Sequence, residues 1–63
     1  RIDVEMNPAG KVDIHMQAQN LPKMHYKDGT FPTAPNKLAN SEFAKKGIQK
    51  AIKYILSKGW KMP

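Results

Sequence analysis

Histidines and carboxylates stand at alternating positions in the first part of the chain. Asp3 and Glu5 are two positions apart, His15 follows Asp13 at the same spacing, and His25 comes ten positions after His15. Alternate residues of a β-strand share one side. A histidine titrates near neutral pH, and a carboxylate beside it orients the ring and favours its charged form. If strands bring these side chains together, the pattern predicts acid–base chemistry.

Two short strands are the elements that would position these groups. Residues 1–6 and 11–18 alternate between apolar and polar side chains, the period of a strand with one buried face. The segment 7–10, with sequence NPAG, is typical of a turn, so the two runs predict a β-hairpin. The apolar faces coincide when Val4 opposes an even-numbered residue, and the simplest choice, Ile14, places Asp3 opposite His15. The other predicted pairs are Ile2 with Met16, Glu5 with Asp13, and Arg1 with Gln17.

A third strand is predicted over 23–27, ending at the Asp28-Gly29 turn. A connection centred on Asn20 would place His25 beside His15 and Lys27 beside Asp13, although a slip of two residues would preserve the faces. Thr30 and Phe31 are expected to start a short fourth strand. The prolines of the 32–40 segment favour an extended loop.

Residues 41–60 predict the one clear helix, with Asn40 or Ser41 as the N-cap and Gly59 at its end. Gly47 lies in the helix interior and indicates close packing. The stripe expected to cover the sheet comprises Ala44, Ile48, Ala51, Ile52, Ile55 and Leu56. Lys46, Lys50 and Lys53 fall on the opposite, solvated side.

These elements predict an α+β fold in which a three- to four-stranded antiparallel sheet packs against one C-terminal amphipathic helix. Residues 1–63 are expected to form a single small domain. The chain begins at Arg1 rather than methionine, which favours the C-terminal part of a longer chain. The sequence contains no cysteine, which excludes disulfides and thiolate metal sites. No apolar run is long enough to predict a membrane span.

The net charge of +6 is concentrated in the second half of the chain. Residues 1–28 hold four basic and four acidic side chains, whereas residues 29–63 hold seven lysines and a single glutamate. A concentration of positive charge attracts polyanions, of which nucleic acid is the most common. A lysine face that serves only solubility is the alternative.

The polar face of the predicted sheet suits metal-independent RNA cleavage. Histidine beside aspartate supplies the acid–base pair, while Arg1 and Lys27 can stabilise charge on a phosphate during transfer to a 2′-hydroxyl. The sequence has no nucleophile elbow, glycine-rich phosphate loop or HExxH motif. Solvated cross-strand ion pairs and a weak metal site at His15, His25 and Asp3 are the alternatives.

Several short motifs resemble a known group of proteins. RIDVE at 1–5 is followed by Asn7-Pro8, Gly10 and IHMQ at 14–17, then by Tyr26, Gly29 and Phe31, and finally by the helical segment 48–56. This pattern resembles the C-terminal toxin modules of bacterial polymorphic toxins, which are carried by contact-dependent and Rhs-type secreted proteins. The resemblance implies a small nuclease that acts in the cytoplasm of a competing bacterium and is neutralised by a cognate immunity protein.

The resemblance extends a site role to five positions, which are Arg1, Asp3, Glu5, His15 and Gln17. The strand register, not the resemblance, adds His25 and Lys27. We therefore expect a ribonuclease in which His15 is the general acid or base and Asp3 orients it. Lys27, Lys46, Lys50 and Lys53 are expected to contact RNA, and no metal or cofactor is expected. A nucleic-acid-binding module without catalysis and a small protein-interaction module are the competing hypotheses.

Overall fold

The computed structural model describes all 63 residues. Strands β1 (Ile2–Met6), β2 (Val12–Met16) and β3 (Met24–His25) form an antiparallel sheet in the order β1-β2-β3. Helices α1 (Asn36–Ala39) and α2 (Glu42–Ser57) follow. The predicted α+β arrangement, with a C-terminal helix against an antiparallel sheet, is confirmed. Neither helix has the length and apolar character needed to cross a membrane.

The hairpin of β1 and β2 has the predicted register. Val4 lies opposite Ile14, and Asp3 lies opposite His15. The pairing extends beyond the strands, because the backbone N–H of Gln17 donates to the carbonyl oxygen of residue 1 at 2.8 Å. The observed register is therefore one in which the two apolar faces coincide.

The turn between these strands is held by one side chain. Oδ1 of Asn7 accepts hydrogen bonds from the backbone N–H groups of Ala9 and Lys11, each at 2.9 Å. Gly10 adopts a φ of 82°, which a residue without a Cβ does at little cost. The sequence NPAG therefore closes the hairpin through an Asx turn and a left-handed glycine.

Strand β3 is shorter than predicted, and the fourth strand does not form. The β2–β3 ladder contains His15 opposite His25 and Met16 opposite Met24, so the predicted pairing of the two histidines is confirmed. Thr30 makes only an isolated bridge to Lys27. The next residue, Phe31, is buried in the core instead of continuing a strand.

Helix α1 corrects the expectation of an extended loop over 32–40. Pro35 stands immediately before the helix with φ −54° and ψ 141°, and Ser41 follows it, its Oγ donating to the carbonyl oxygen of Leu38 at 2.6 Å. A proline disrupts a helix that contains it but is compatible with one that begins after it. Both prolines of this segment precede the helix, so they do not prevent it.

Helix α2 is capped at both ends as its sequence predicts. Oγ of Ser41 accepts a hydrogen bond from the N–H of Ala44 at 3.2 Å. At the other end Gly59 has a φ of 72°, and the N–H of Trp60 donates to the carbonyl oxygen of Ile55 at 3.1 Å. This left-handed glycine and backward hydrogen bond form a Schellman motif, which ends the helix.

The core lies between α2 and the apolar face of the sheet. A Cβ at Gly47 would overlap the end of the Ile2 side chain, so the predicted close packing at this glycine is confirmed. Leu56 is 64% exposed, so its assignment to the buried stripe was wrong; Ile55, the preceding residue, takes the inward position. The buried cluster comprises Val12, Ile14, Met16, Met24, Phe31, Ala34, Ala51 and Ile55.

Candidate functional site

The polar face of the sheet brings together Asp3, His15 and His25, one from each strand. The register sets Asp3 against His15 and His15 against His25, so the three lie in one row across the sheet. The imidazole rings of the two histidines are 6.3 Å apart between centroids and meet edge to face. The sequence-predicted grouping of these three side chains is therefore present.

His15 is almost fully enclosed by carboxylates. Its Nε2 lies 3.5 Å from Oδ2 of Asp3 and 3.3 Å from Oε1 of Glu5, and its Nδ1 lies 3.3 Å from Oδ2 of Asp13. Only 2% of the residue is exposed. Both ring nitrogens therefore face carboxylates, and the arrangement leaves little room for a substrate.

His25 is oriented by a carboxylate but open to solvent. Its Nδ1 lies 3.1 Å from Oδ1 and 3.2 Å from Oδ2 of Asp13, and 60% of its side chain is exposed. No hydrogen bond within the chain engages the other nitrogen, Nε2. A carboxylate at Nδ1 fixes the tautomer and ring orientation, so Nε2 is free to exchange a proton.

Asp13 joins the two histidines and was not among the predicted site residues. Its side chain contacts Nδ1 of both rings, and it is held on β2 two residues before His15. The sequence contained a usable signal, because residues two apart in a strand share a face. The predicted register placed Lys27 beside Asp13, but the ladder of β3 ends at His25, and the carboxylate turns to that histidine instead.

Arg1 and Asp3 form an ion pair at the outer edge of β1. Nε of Arg1 donates to Oδ2 of Asp3 at 2.8 Å. This hydrogen bond, reinforced by the charge of Arg1, lowers the pKa of Asp3 although partial desolvation opposes the shift. The same hydrogen bond raises the pKa of Arg1. The Arg1 side chain is 76% exposed, so its remaining guanidinium nitrogens can contact an anion.

Gln17 and Lys27 lie outside this cluster, whereas Glu5 belongs to it. Gln17 is exposed and joins the hairpin through its backbone. Lys27 is exposed beyond the end of β3, in the turn that it closes with Thr30. Glu5 contacts His15, but its side chain is 61% exposed. The cluster therefore contains four of the predicted residues, Asp3, Glu5, His15 and His25, with Arg1 attached through Asp3.

Two of the three predicted helix lysines line a groove between β1 and α2, and the third does not. The groove has a volume of about 700 Å³, and Lys46 and Lys50 line it together with Arg1. Two aromatic side chains, Phe43 and Tyr54, line the same groove. Lys53 is exposed but is not part of the lining. Sequence reasoning placed all three lysines on one solvated face and did not anticipate that β1 would border it.

No group of three or more histidine, cysteine, aspartate or glutamate side chains is arranged to hold a metal ion. The imidazole of His15 occupies the centre of the carboxylate group. No protein-family model, curated protein or solved structure shows significant similarity to this chain.

Proposed function

We propose that this chain is a metal-independent endoribonuclease of the bacterial toxin type, in which His25 exchanges the proton with the RNA. The observation that carries the proposal is the pairing of Asp13 with Nδ1 of His25 at 3.1 and 3.2 Å on a side chain that is 60% exposed. An oriented and accessible imidazole is the part that acid–base catalysis requires.

The reaction that fits these groups is attack of a ribose 2′-hydroxyl on the adjacent phosphorus. Nε2 of His25 takes the proton of the 2′-hydroxyl as the 2′-oxygen bonds to phosphorus. The bond from phosphorus to the 5′-oxygen then breaks, and a proton donor, solvent or a protonated side chain, neutralises the leaving oxygen. The products are a 2′,3′-cyclic phosphate and a free 5′-hydroxyl, and no metal ion takes part.

His15 acts as a positioning residue in this proposal rather than as the group that contacts RNA. Its ring is buried, and both of its nitrogens face carboxylates. By holding Asp13 from one side, it keeps that carboxylate directed at His25. The role of general acid or base that the sequence predicted for His15 thus passes to its neighbour across the sheet.

Electrostatics restrict where a phosphate can approach. Asp3, Glu5 and Asp13 place negative charge around His15, which disfavours a phosphate over the centre of the sheet. Beyond His25, Lys27 provides a cation on the β3 side, and Arg1 provides one at the β1 edge. The phosphate that reacts is therefore expected near β3, where Lys27 stabilises its developing charge.

The toxin assignment rests on the resemblance of the short motifs described above. The same resemblance implies a cognate immunity protein as a partner. It also implies secretion by a producing bacterium and action in the cytoplasm of a target cell. These partners and locations belong to the proposal together with the activity.

The test is cleavage of a fluorescent RNA in the presence of a chelator. We expect His25→Ala to lower the cleavage rate by about 10²- to 10⁴-fold, the usual contribution of a general acid or base. The exposed Gln19→Ala variant should cleave as the wild type does. A substrate with a 2′-deoxyribose at the cleaved position should remain intact.

Two results would contradict the proposal. Binding of RNA without cleavage would favour the non-enzymatic nucleic-acid-binding module. Full activity in His25→Ala would show that this imidazole is not the proton-exchanging group, provided that circular dichroism shows the variant to be folded.

A further inference from the structure

The groove between β1 and α2 is bordered by an unpaired strand edge. β1 pairs only with β2, so it is an edge strand, and its residues line the groove opposite α2. Ile2 and Val4 contribute to the lining from the strand, and Gly47 contributes from the helix. The absence of a side chain at Gly47 lets Ile2 approach the helix backbone.

The charges along this groove are mostly positive. Lys46 and Lys50 are one helical turn apart, about 6 Å along the axis, and both are exposed. Arg1 faces them from the strand side, and the one acidic lining residue, Asp3, is already paired with Arg1. With three cations and one carboxylate, the lining carries a net charge of +2, which attracts a chain of anions.

Exposed aromatic rings stand at two positions along the same groove. Phe43 is 49% exposed and Tyr54 is 46% exposed, and neither belongs to the buried core. They are eleven residues apart on α2, about 16 Å along its axis, with Lys46 and Lys50 between them. Tyr54 is held in place by Trp60, whose ring meets it edge to face at 5.8 Å.

We propose that this groove binds single-stranded RNA. Phosphates would contact Lys46, Lys50 and Arg1, and unpaired bases would stack on Phe43 and Tyr54. Cations interleaved with exposed aromatic rings are the combination that binds single strands without sequence preference. A duplex keeps its bases stacked on one another, so it cannot use the two rings, and an acidic peptide would use only the cations.

The inference rests on the proposed function for its choice of RNA, and it adds a path to the histidine. Arg1 lies on both the groove and the polar face, because it lines the groove and pairs with Asp3 in the histidine row. β3 is two strand spacings from β1, about 10 Å. An RNA strand that leaves the groove past Arg1 would span this distance in a few nucleotides, and it would pass around the carboxylates at the centre of the sheet to reach His25.

The test measures binding separately from cleavage. The probe is a fluorescent single-stranded RNA with 2′-O-methyl groups throughout, which lacks the attacking hydroxyl, and the comparison probe is the same sequence in a duplex. The charge variant is the double substitution Lys46→Gln and Lys50→Gln. Its matched control is Lys45→Gln with Lys53→Gln, which removes the same charge from exposed positions of α2 outside the groove.

We expect the single strand to bind more tightly than the duplex. The groove variant loses two phosphate contacts, so its plot of log affinity against log salt should be less steep by about 1.4. The control variant should show a smaller change in steepness. Phe43→Leu should weaken binding about fivefold or more without changing that slope, because stacking is not ionic.

Three results would overturn the inference. These are equal losses in the two lysine variants, a preference for the duplex, or tighter binding of poly-glutamate through the same lysines and Phe43. Failure of the groove is distinguishable from failure of the proposed function. Cleavage that persists unchanged in the groove variants rejects the groove alone, whereas groove-dependent binding by a protein that never cleaves rejects the catalytic proposal alone.

Discussion

The two faces of the hairpin are both closed to solvent at their centres, but by different interactions. Ile14 and His15 are consecutive residues of β2 that point to opposite faces, and they are 0% and 2% exposed. Ile14 is covered by apolar side chains of the core. His15 is enclosed by three carboxylates and by the ring of His25.

The difference lies in what each face can specify. Apolar burial is non-directional, so a hairpin slipped by two residues would still join its apolar sides. On the polar face, one such slip would set Asp3 against Asp13, which pairs like charges, and would move His15 away from Asp3. The observed register instead surrounds one imidazole with carboxylates. The apolar face thus supplies most of the stability, and the polar face distinguishes this register from its alternatives.

Ile14→Ala should give the largest loss of stability, because it removes a fully buried side chain from the apolar face. We expect the free energy of unfolding to fall by about 2–5 kcal/mol. This is comparable to the whole stability that so small a core provides. Urea denaturation followed by circular dichroism measures the loss, and Ile14→Val, expected to cost about 0.5–1.5 kcal/mol, is the control. A loss below that of the valine variant would contradict the assignment of Ile14 to the core.

His15→Ala should cost less, about 1–3 kcal/mol, through the polar face alone. The substitution leaves Asp3, Glu5 and Asp13 facing one another without the imidazole between them. Their mutual repulsion should be relieved in part by Glu5→Gln, so the double variant should be more stable than His15→Ala. The same urea titrations measure both effects.

A second substitution of His15 tests its positioning role. Because His15 is assigned a positioning role, His15→Gln should retain more stability and more RNA cleavage than His15→Ala, since its amide can still donate to a carboxylate. Equal stability of the wild type and His15→Ala would show that the carboxylates do not need the ring.

The fold was largely predictable because its signals are local. Alternation, the NPAG turn and the Ser41 and Gly59 caps fixed the hairpin and α2. The apolar pattern limited the strand register to shifts of two residues, and the short turn favoured the observed one. The short helix α1 and the exposure of Leu56 were not predicted, because both depend on tertiary packing rather than on local signals.

The sequence predicted which residues form the site better than it predicted what each residue does there. Period-two spacing and the register gave Asp3, His15 and His25 as neighbours. The same pattern gives His15 and His25 equivalent polar positions. Their burial differs because β2 is central and has a neighbour on each side, whereas β3 is an edge strand with one neighbour. The pattern also missed the bridging role of Asp13, which depends on side-chain direction rather than on register.

The smallest effect concerns pH and the Arg1–Asp3 pair at the border of the polar face. The hydrogen bond from Arg1 lowers the pKa of Asp3 in the folded chain, so the pair stabilises the fold above the ordinary aspartate value of about 3.9. That contribution is lost as the pH falls through the lowered pKa. A double-mutant cycle of Asp3→Asn and Arg1→Gln, read as thermal midpoints, should therefore show coupling at pH 7 that disappears towards pH 2. The coupling should also weaken with salt, because both side chains are partly exposed. Coupling that persists undiminished at the acidic end would mean that the ionised carboxylate is not what Arg1 recognises, and the polar face would then owe its order to His15 alone.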